Sequence, residues 1–279
     1  MKKEWLVSDA GTKERRLAAQ LKKLPALLVA YSGGVDSAYL AYAAHRALGS
    51  RMLAVTALSA SYSKRDREEA ESVAASCRFP HEFIETDEFS NPAYRRNSPD
   101  RCYFCKDELF TKLDALAAAR GFATVAYGVN TDDQGDWRPG QRAALKHKVL
   151  APLLAAGLKK AEIRELAHRA EIPVWNRPAS ACLSSRVAYG IEVTPARLRV
   201  VEQGEEALRA LGFRQFRVRH HDELVRVEIA PEELPRALSP EMAGRFVEIF
   251  KSLGFKFVTL DLEGYRQGSL NTHLVKIAS

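Results

Sequence analysis

The chain has 279 residues, of which 46% are hydrophobic and 28% charged, with a formal charge of +7 at pH 7. That length can bury one large core or two moderate ones, and the composition is that of an ordinary globular protein, with no low-complexity tract and no repeat. No apolar run approaches a membrane span and Met1-Lys2-Lys3-Glu4-Trp5 lacks the apolar core of a signal peptide, so a cytoplasmic protein with no membrane partner is expected.

Taken in chain order, residues 8–22 read as an amphipathic helix with Leu17 and Leu21 on one face. The apolar run 26–30 reads as a buried strand, and it leads into Tyr31-Ser32-Gly33-Gly34-Val35-Asp36-Ser37 at the start of an amphipathic segment over 35–48. Two glycines at a strand-to-helix turn let several backbone N–H groups converge on one anion at a helix N-terminus. Ser32 and Ser37 add hydroxyl donors. Asp36 beside a polyphosphate requires a cation such as Mg²⁺ between them, so the stretch reads as a site for a metal-bridged nucleotide. It is not a Walker A loop, because no Lys follows Gly34. The string Ser-Gly-Gly-Val-Asp-Ser instead resembles the pyrophosphatase loop (PP-loop) of the N-type ATP pyrophosphatases. That resemblance implies that ATP is cut at its α-phosphate while Ser32, Gly33, Gly34, Val35, Asp36 and Ser37 grip the leaving pyrophosphate.

Strand-like runs recur at 52–56, 82–86, 124–127 and 149–151, separated by helical patterns at 64–76, 103–119 and 141–147. The alternation predicts an α/β fold with a doubly wound parallel sheet, whose ligands bind at the carboxyl ends of the strands near the reversal of strand order. A second carboxyl-end loop, Gly128-Val129-Asn130-Thr131-Asp132-Asp133, joins the first as a candidate. Gly128 would let a base approach the backbone. Asp132 or Asp133 would hold Mg²⁺ or a ribose, or serve as local turn acceptors. Another helix follows at 159–170, and Pro173 and Pro178 then mark a boundary or loop. After Thr194-Pro195 the pattern becomes helix 196–211, strands 214–219 and 224–229, helix 240–253 and strand 256–260, with a hairpin turn at His221-Asp222-Glu223. This predicts a PP-loop domain over 1–190 and a smaller α+β domain over 191–279 for substrate or oligomerisation.

Four cysteines in a cytoplasmic protein read as metal ligands or catalysts rather than disulfides. Cys102 and Cys105 sit in Arg101-Cys102-Tyr103-Phe104-Cys105-Lys106, before a helix, and Cys182 precedes Leu183-Ser184-Ser185-Arg186. Three thiolates suit an iron–sulfur cluster with one iron open to a non-protein ligand, or a zinc site with an open position. Cys77, at the end of a helix, reads as a small buried hydrophobe.

From about residue 10 to 270, the PP-loop, the Cys102/Cys105 pair, the Gly128–Asp133 loop and Cys182 with its Ser-Ser-Arg together resemble the LarE family of ATP-dependent sulfur transferases. The resemblance implies a homo-oligomer that uses ATP and Mg²⁺, with Asp36 as the metal ligand and Gly128 beside the nucleotide. Its substrate would be pyridinium-3,5-biscarboxylic acid mononucleotide, whose carboxylates become thiocarboxylates on the way to the nickel-pincer nucleotide cofactor of lactate racemase and its relatives. In one branch a cysteine at the position of Cys182 gives up its own sulfur and ends as dehydroalanine. The presence of Cys102 and Cys105 is similar to the other branch, whose three cysteines hold a [4Fe-4S] cluster that carries the sulfide. Arg186, four residues after Cys182, and Arg217 and Arg219, alternating along one strand, would then recognise the substrate's phosphate and carboxylates. The rival class is a PP-loop tRNA thiolase; against nucleic acid stands the lack of a dense Lys/Arg stripe interleaved with aromatics.

Overall fold

The computed structural model describes residues 9–134, 139–178 and 181–266. The N-terminal stretch read for a signal peptide, residue 8 of the first helix, and Ala179 and Ser180 lie outside them. The chain divides into two compact units, one of residues 1–88 and 102–180, the other of 89–101 and 181–279.

The first unit opens with helix α1 (Asp9–Lys22), whose Leu17 and Leu21 are fully buried, and strand β1 (Leu27–Ala30), buried along its whole length. Helix α2 (Val35–Leu48), strand β2 (Met52–Leu58), helix α3 (Lys64–Cys77) and strand β3 (His81–Glu85) follow. Ser63 caps α3, its hydroxyl accepting the Asp66 N–H, and Arg78 ends that helix in the left-handed conformation. The sheet order is β3-β2-β1-β4, all parallel, with β4 (Val125–Tyr127) returning to the far side of β1. Strand order therefore reverses between β1 and β4. Side chains alternate across β1: Leu27 and Val29 join a core with α1, α2 and α3, whereas Leu28 and Ala30 join Leu109, Phe110 and Leu113 of a 20-residue helix that enters this core from the opposite face.

A strand at 149–151 does not form. Leu150 makes one isolated bridge to Ala126, because Lys148 just before it takes a left-handed φ of 53° and Pro152, which lacks an N–H, starts a helix just after it.

The second unit takes in the short helix α4 (Pro92–Arg95), capped by Asn91, before the 20-residue helix α5 (Arg101–Arg120) returns the chain to the first unit. There it continues through α6 (Pro139–Lys146), α7 (Pro152–Ala155) and α8 (Lys160–Arg169). The remainder of the second unit is α9 (Pro195–Ala210), the hairpin β5 (Phe216–His221) and β6 (Leu224–Ile229), α10 (Leu234–Ala237), α11 (Pro240–Ser252) and β7 (Phe257–Leu260). β6 pairs antiparallel with β5 and parallel with β7. Asp222 takes the left-handed turn of the hairpin, with φ of 59°. The inward faces of these strands, Val218, Val225, Val227 and Ile229, are fully buried.

Candidate functional site

The strand-to-helix turn after β1 is built as the glycines demanded, with one refinement. Gly33 has φ of +77° and needs to be glycine, whereas Gly34 is the extended N-cap of α2. Ser37 folds back on the turn: its hydroxyl donates to the Gly34 carbonyl at 3.0 Å and accepts the Ser32 N–H at 3.1 Å, and the two serine hydroxyls lie 3.1 Å apart. Tyr62 closes the outer side, its hydroxyl 3.2 Å from the Ser32 carbonyl and 3.1 Å from that of Asp66. The turn thus presents backbone N–H groups and the exposed Ser32 hydroxyl at the positive end of a helix, with the Ser37 hydroxyl bracing it from within.

The loop after β4 lies against this turn, as the reversal of strand order dictates. A Cβ on Gly128 would fall 2.7 Å from the Ser37 nitrogen and 3.0 Å from the Asp36 carbonyl carbon, so the close approach that Gly128 permits is to the backbone of α2 itself. Asn130 reaches across to Asp36, its Nδ2 donating to Oδ1 at 3.4 Å. Asp133 accepts the Asn130 N–H at 3.0 Å as a local cap acceptor, whereas Asp132 accepts the N–H of Lys160, 28 residues further on, at 2.7 Å. Lys160, at the start of α8, places its ammonium on Asp36 Oδ2. Burial pushes the Asp36 carboxyl up from its ordinary value, and Lys160 works against that shift. The oxygen donors of Asp36 fit a hard cation such as Mg²⁺.

Sequence reasoning missed Asn130, Tyr62 and Lys160 as parts of this site. Asn130 stood inside a candidate loop and carried a cap signal. Lys160 is 124 residues from Asp36 and sits in a Lys-Lys pair that reads as helix surface.

Cys102 and Cys105 occupy the first turns of α5, three apart on one helical face, Cys102 exposed and Cys105 half-buried. Cys77, the last residue of α3, packs half-buried against the first core, and burial raises its thiol. Among the described residues no group of three or more His, Cys, Asp or Glu side chains is gathered to hold a metal ion. Two thiols at helical spacing are nonetheless the soft donors that iron–sulfur chemistry takes.

In the second unit, exposed Cys182 caps a 3₁₀ turn over Leu183–Arg186. Its carbonyl accepts from the Ser185 N–H at 3.0 Å, the Ser185 hydroxyl at 2.8 Å and the Arg186 guanidinium at 3.0 Å, which fixes the backbone of this exposed cysteine. Arg186 is buried and paired with Glu205, Nε to Oε1 at 2.9 Å. Arg219 pairs with fully buried Glu228 at 2.9 Å and donates to the Ser185 carbonyl at 3.1 Å. Arg217, on the same face of β5, lies 4.9 Å over the Tyr265 ring and donates to the Phe216 carbonyl at 2.7 Å. Burial and then the charge of Arg186 lower its pKa from the ordinary arginine value. Among the described residues Arg217 makes no ion pair with a carboxylate.

Fold and turn together define a doubly wound α/β protein with a glycine turn and a helix N-terminus at its switch point. No protein-family model matches the chain. It is 42% identical over 254 residues to an uncharacterized protein of Synechocystis, covering 91% of this chain and 95% of that one. It is 34% identical over 271 residues to the pyridinium-3,5-bisthiocarboxylic acid mononucleotide synthase of Lactiplantibacillus plantarum, covering 97% of this chain and 98% of the synthase. An uncharacterized protein of Methanocaldococcus jannaschii matches at 31% identity over 61% of the chain. The chain belongs to the family of that synthase, the LarE family.

Proposed function

We propose that the chain is an ATP-dependent sulfur transferase of nickel-pincer nucleotide synthesis, converting the carboxylates of pyridinium-3,5-biscarboxylic acid mononucleotide into thiocarboxylates. The observation that carries this reading is the similarity to the synthase along 97% of the chain. The turn of Ser32, Gly33, Gly34, Val35, Asp36 and Ser37 supports it from the chemical side.

A carboxylate resists sulfide because its oxygen is a poor leaving group, so it must first be activated. A substrate carboxylate oxygen attacks the α-phosphorus of ATP, the bond to pyrophosphate breaks, and pyrophosphate leaves into the N–H and hydroxyl donors of the turn after β1. Mg²⁺ on Asp36 would neutralise the phosphate charge, with Gly128 holding the second loop close behind. A sulfur nucleophile then attacks the acyl carbon, and AMP departs with the former carboxylate oxygen. Cys102, Cys105 and Cys182 would hold a [4Fe-4S] cluster, which would supply the sulfur at the sulfide level. Arg217, with Arg186 and Arg219 behind it on the same α+β scaffold, would receive the anionic groups of the mononucleotide.

Pyrophosphate release tests the activation step. The wild-type chain releases pyrophosphate only when ATP and the dicarboxylate mononucleotide are both present, and Asp36→Asn lowers that rate at least about a hundredfold. Release that is independent of the mononucleotide, or untouched in Asp36→Asn, would contradict the reading.

A further inference from the structure

The reading above gives Lys160 no task, yet its ammonium sits on the carboxylate oxygen that the cation needs. The contact is delivered by a tied backbone. The Lys160 N–H donates to Asp132 at 2.7 Å, and both the N–H and the hydroxyl of Thr131 donate to the Leu158 carbonyl at 3.0 Å. The start of α8 is therefore pinned to the loop after β4, while Asn130 of that loop holds the other oxygen of Asp36. Both side chains are largely enclosed, with 32% of Lys160 and 20% of Asp36 exposed, so water screens the pair poorly.

We propose that Lys160 is the exchangeable counter-ion of the loop: it holds Asp36 when nucleotide is absent, yields that carboxylate to the incoming divalent cation, and moves its ammonium onto the phosphate oxygens. The proposal rests on Asp36 being the metal ligand of the nucleotide site. A dication and an ammonium repel too strongly to share one carboxylate oxygen. The lysine stem has four carbons and three rotatable donors, so Nζ can shift without moving α8. Phosphate supplies the new partner. A bare cation supplies none, and must leave the ammonium stranded in a half-enclosed site. Metal alone consequently binds poorly and metal with nucleotide binds well.

Replacing Lys160 removes both a competitor for the metal and a ligand for the phosphates, so its two effects have opposite signs. The test measures binding of Mn²⁺ by electron paramagnetic resonance, with and without α,β-methylene-ATP, to the wild-type chain, Lys160→Met and Asp36→Asn. In Lys160→Met, Mn²⁺ alone binds about tenfold tighter and the analogue with Mn²⁺ binds about tenfold more weakly. In Asp36→Asn both are weakened. A Lys160→Met chain in which both affinities fall together, as a merely damaged site would give, or in which neither changes, overturns the handover. A wild-type chain that binds no analogue overturns the nucleotide reading itself, and the handover with it.

Discussion

At the scale of single residues, the site depends on a few positions that tolerate no alternative. Gly128 is the clearest, since a methyl group there meets backbone atoms of α2 at 2.7 and 3.0 Å, which cannot rotate away. Gly128→Ala is expected to cost about 1–3 kcal/mol, seen as a lower urea midpoint, and to weaken ATP binding because α2 and Ser37 must shift. Unchanged stability and ATP affinity would show that the two loops are not closely coupled. The glycine itself was visible in the sequence, but the atom it makes room for was not, because that atom lies 91 residues earlier in the chain. Asp36 likewise stood out in the sequence from its place in the loop, whereas its ammonium partner was hidden in a surface-like Lys-Lys pair.

At the scale of elements, the segment 89–101 shows how a connection becomes part of another unit. Asn97 is fully buried with φ of 56°, and its Nδ2 donates to the carbonyls of Val187, Ala188 and Ile191 at 3.2, 2.8 and 3.0 Å. Asn tolerates the left-handed conformation better than most residues. Arg101 donates to Asn97 and to the Ser184 carbonyl at 2.9 Å, and the Tyr94 hydroxyl lies 2.7 Å from that of Ser184. These bonds hold the stretch that begins at Cys182. Asn97→Ala leaves buried carbonyls without this donor and is expected to cost about 1–3 kcal/mol in chemical denaturation, together with faster alkylation of Cys182 by iodoacetamide in the folded chain. A stable variant with unaltered Cys182 reactivity would mean that the clamp does not set the thiol's position. Regular elements were legible where period and caps agreed: residues 35–48 and 224–229 form the helix and strand that their patterns predict. Short helices such as Pro92–Arg95 and Pro152–Ala155 span about one turn, too little to show a period, and the strand expected at 149–151 was lost to a left-handed residue and a proline.

At the scale of the whole molecule, the alternation of strands and helices was enough to place the Gly33-Gly34 turn at the switch point of a parallel sheet, and the observed order β3-β2-β1-β4 puts the loops after β1 and β4 side by side. Tertiary partnerships were not legible, because ion pairs such as Arg186–Glu205 and Arg219–Glu228 are fixed by packing rather than by local pattern. Among the described residues no helix is long and apolar enough to cross a membrane. The measurement that tests the central claim most directly is mass spectrometry, after anaerobic turnover with ATP, Mg²⁺ and the dicarboxylate mononucleotide, of both the small-molecule product and the intact chain. The account predicts a product in which sulfur has replaced carboxylate oxygen, one AMP and one pyrophosphate for each sulfur, and a chain whose Cys182 keeps its sulfur. Pyrophosphate release without sulfur in the product would contradict the transferase, and a chain lacking the elements of H₂S at Cys182 would contradict the cluster as the source.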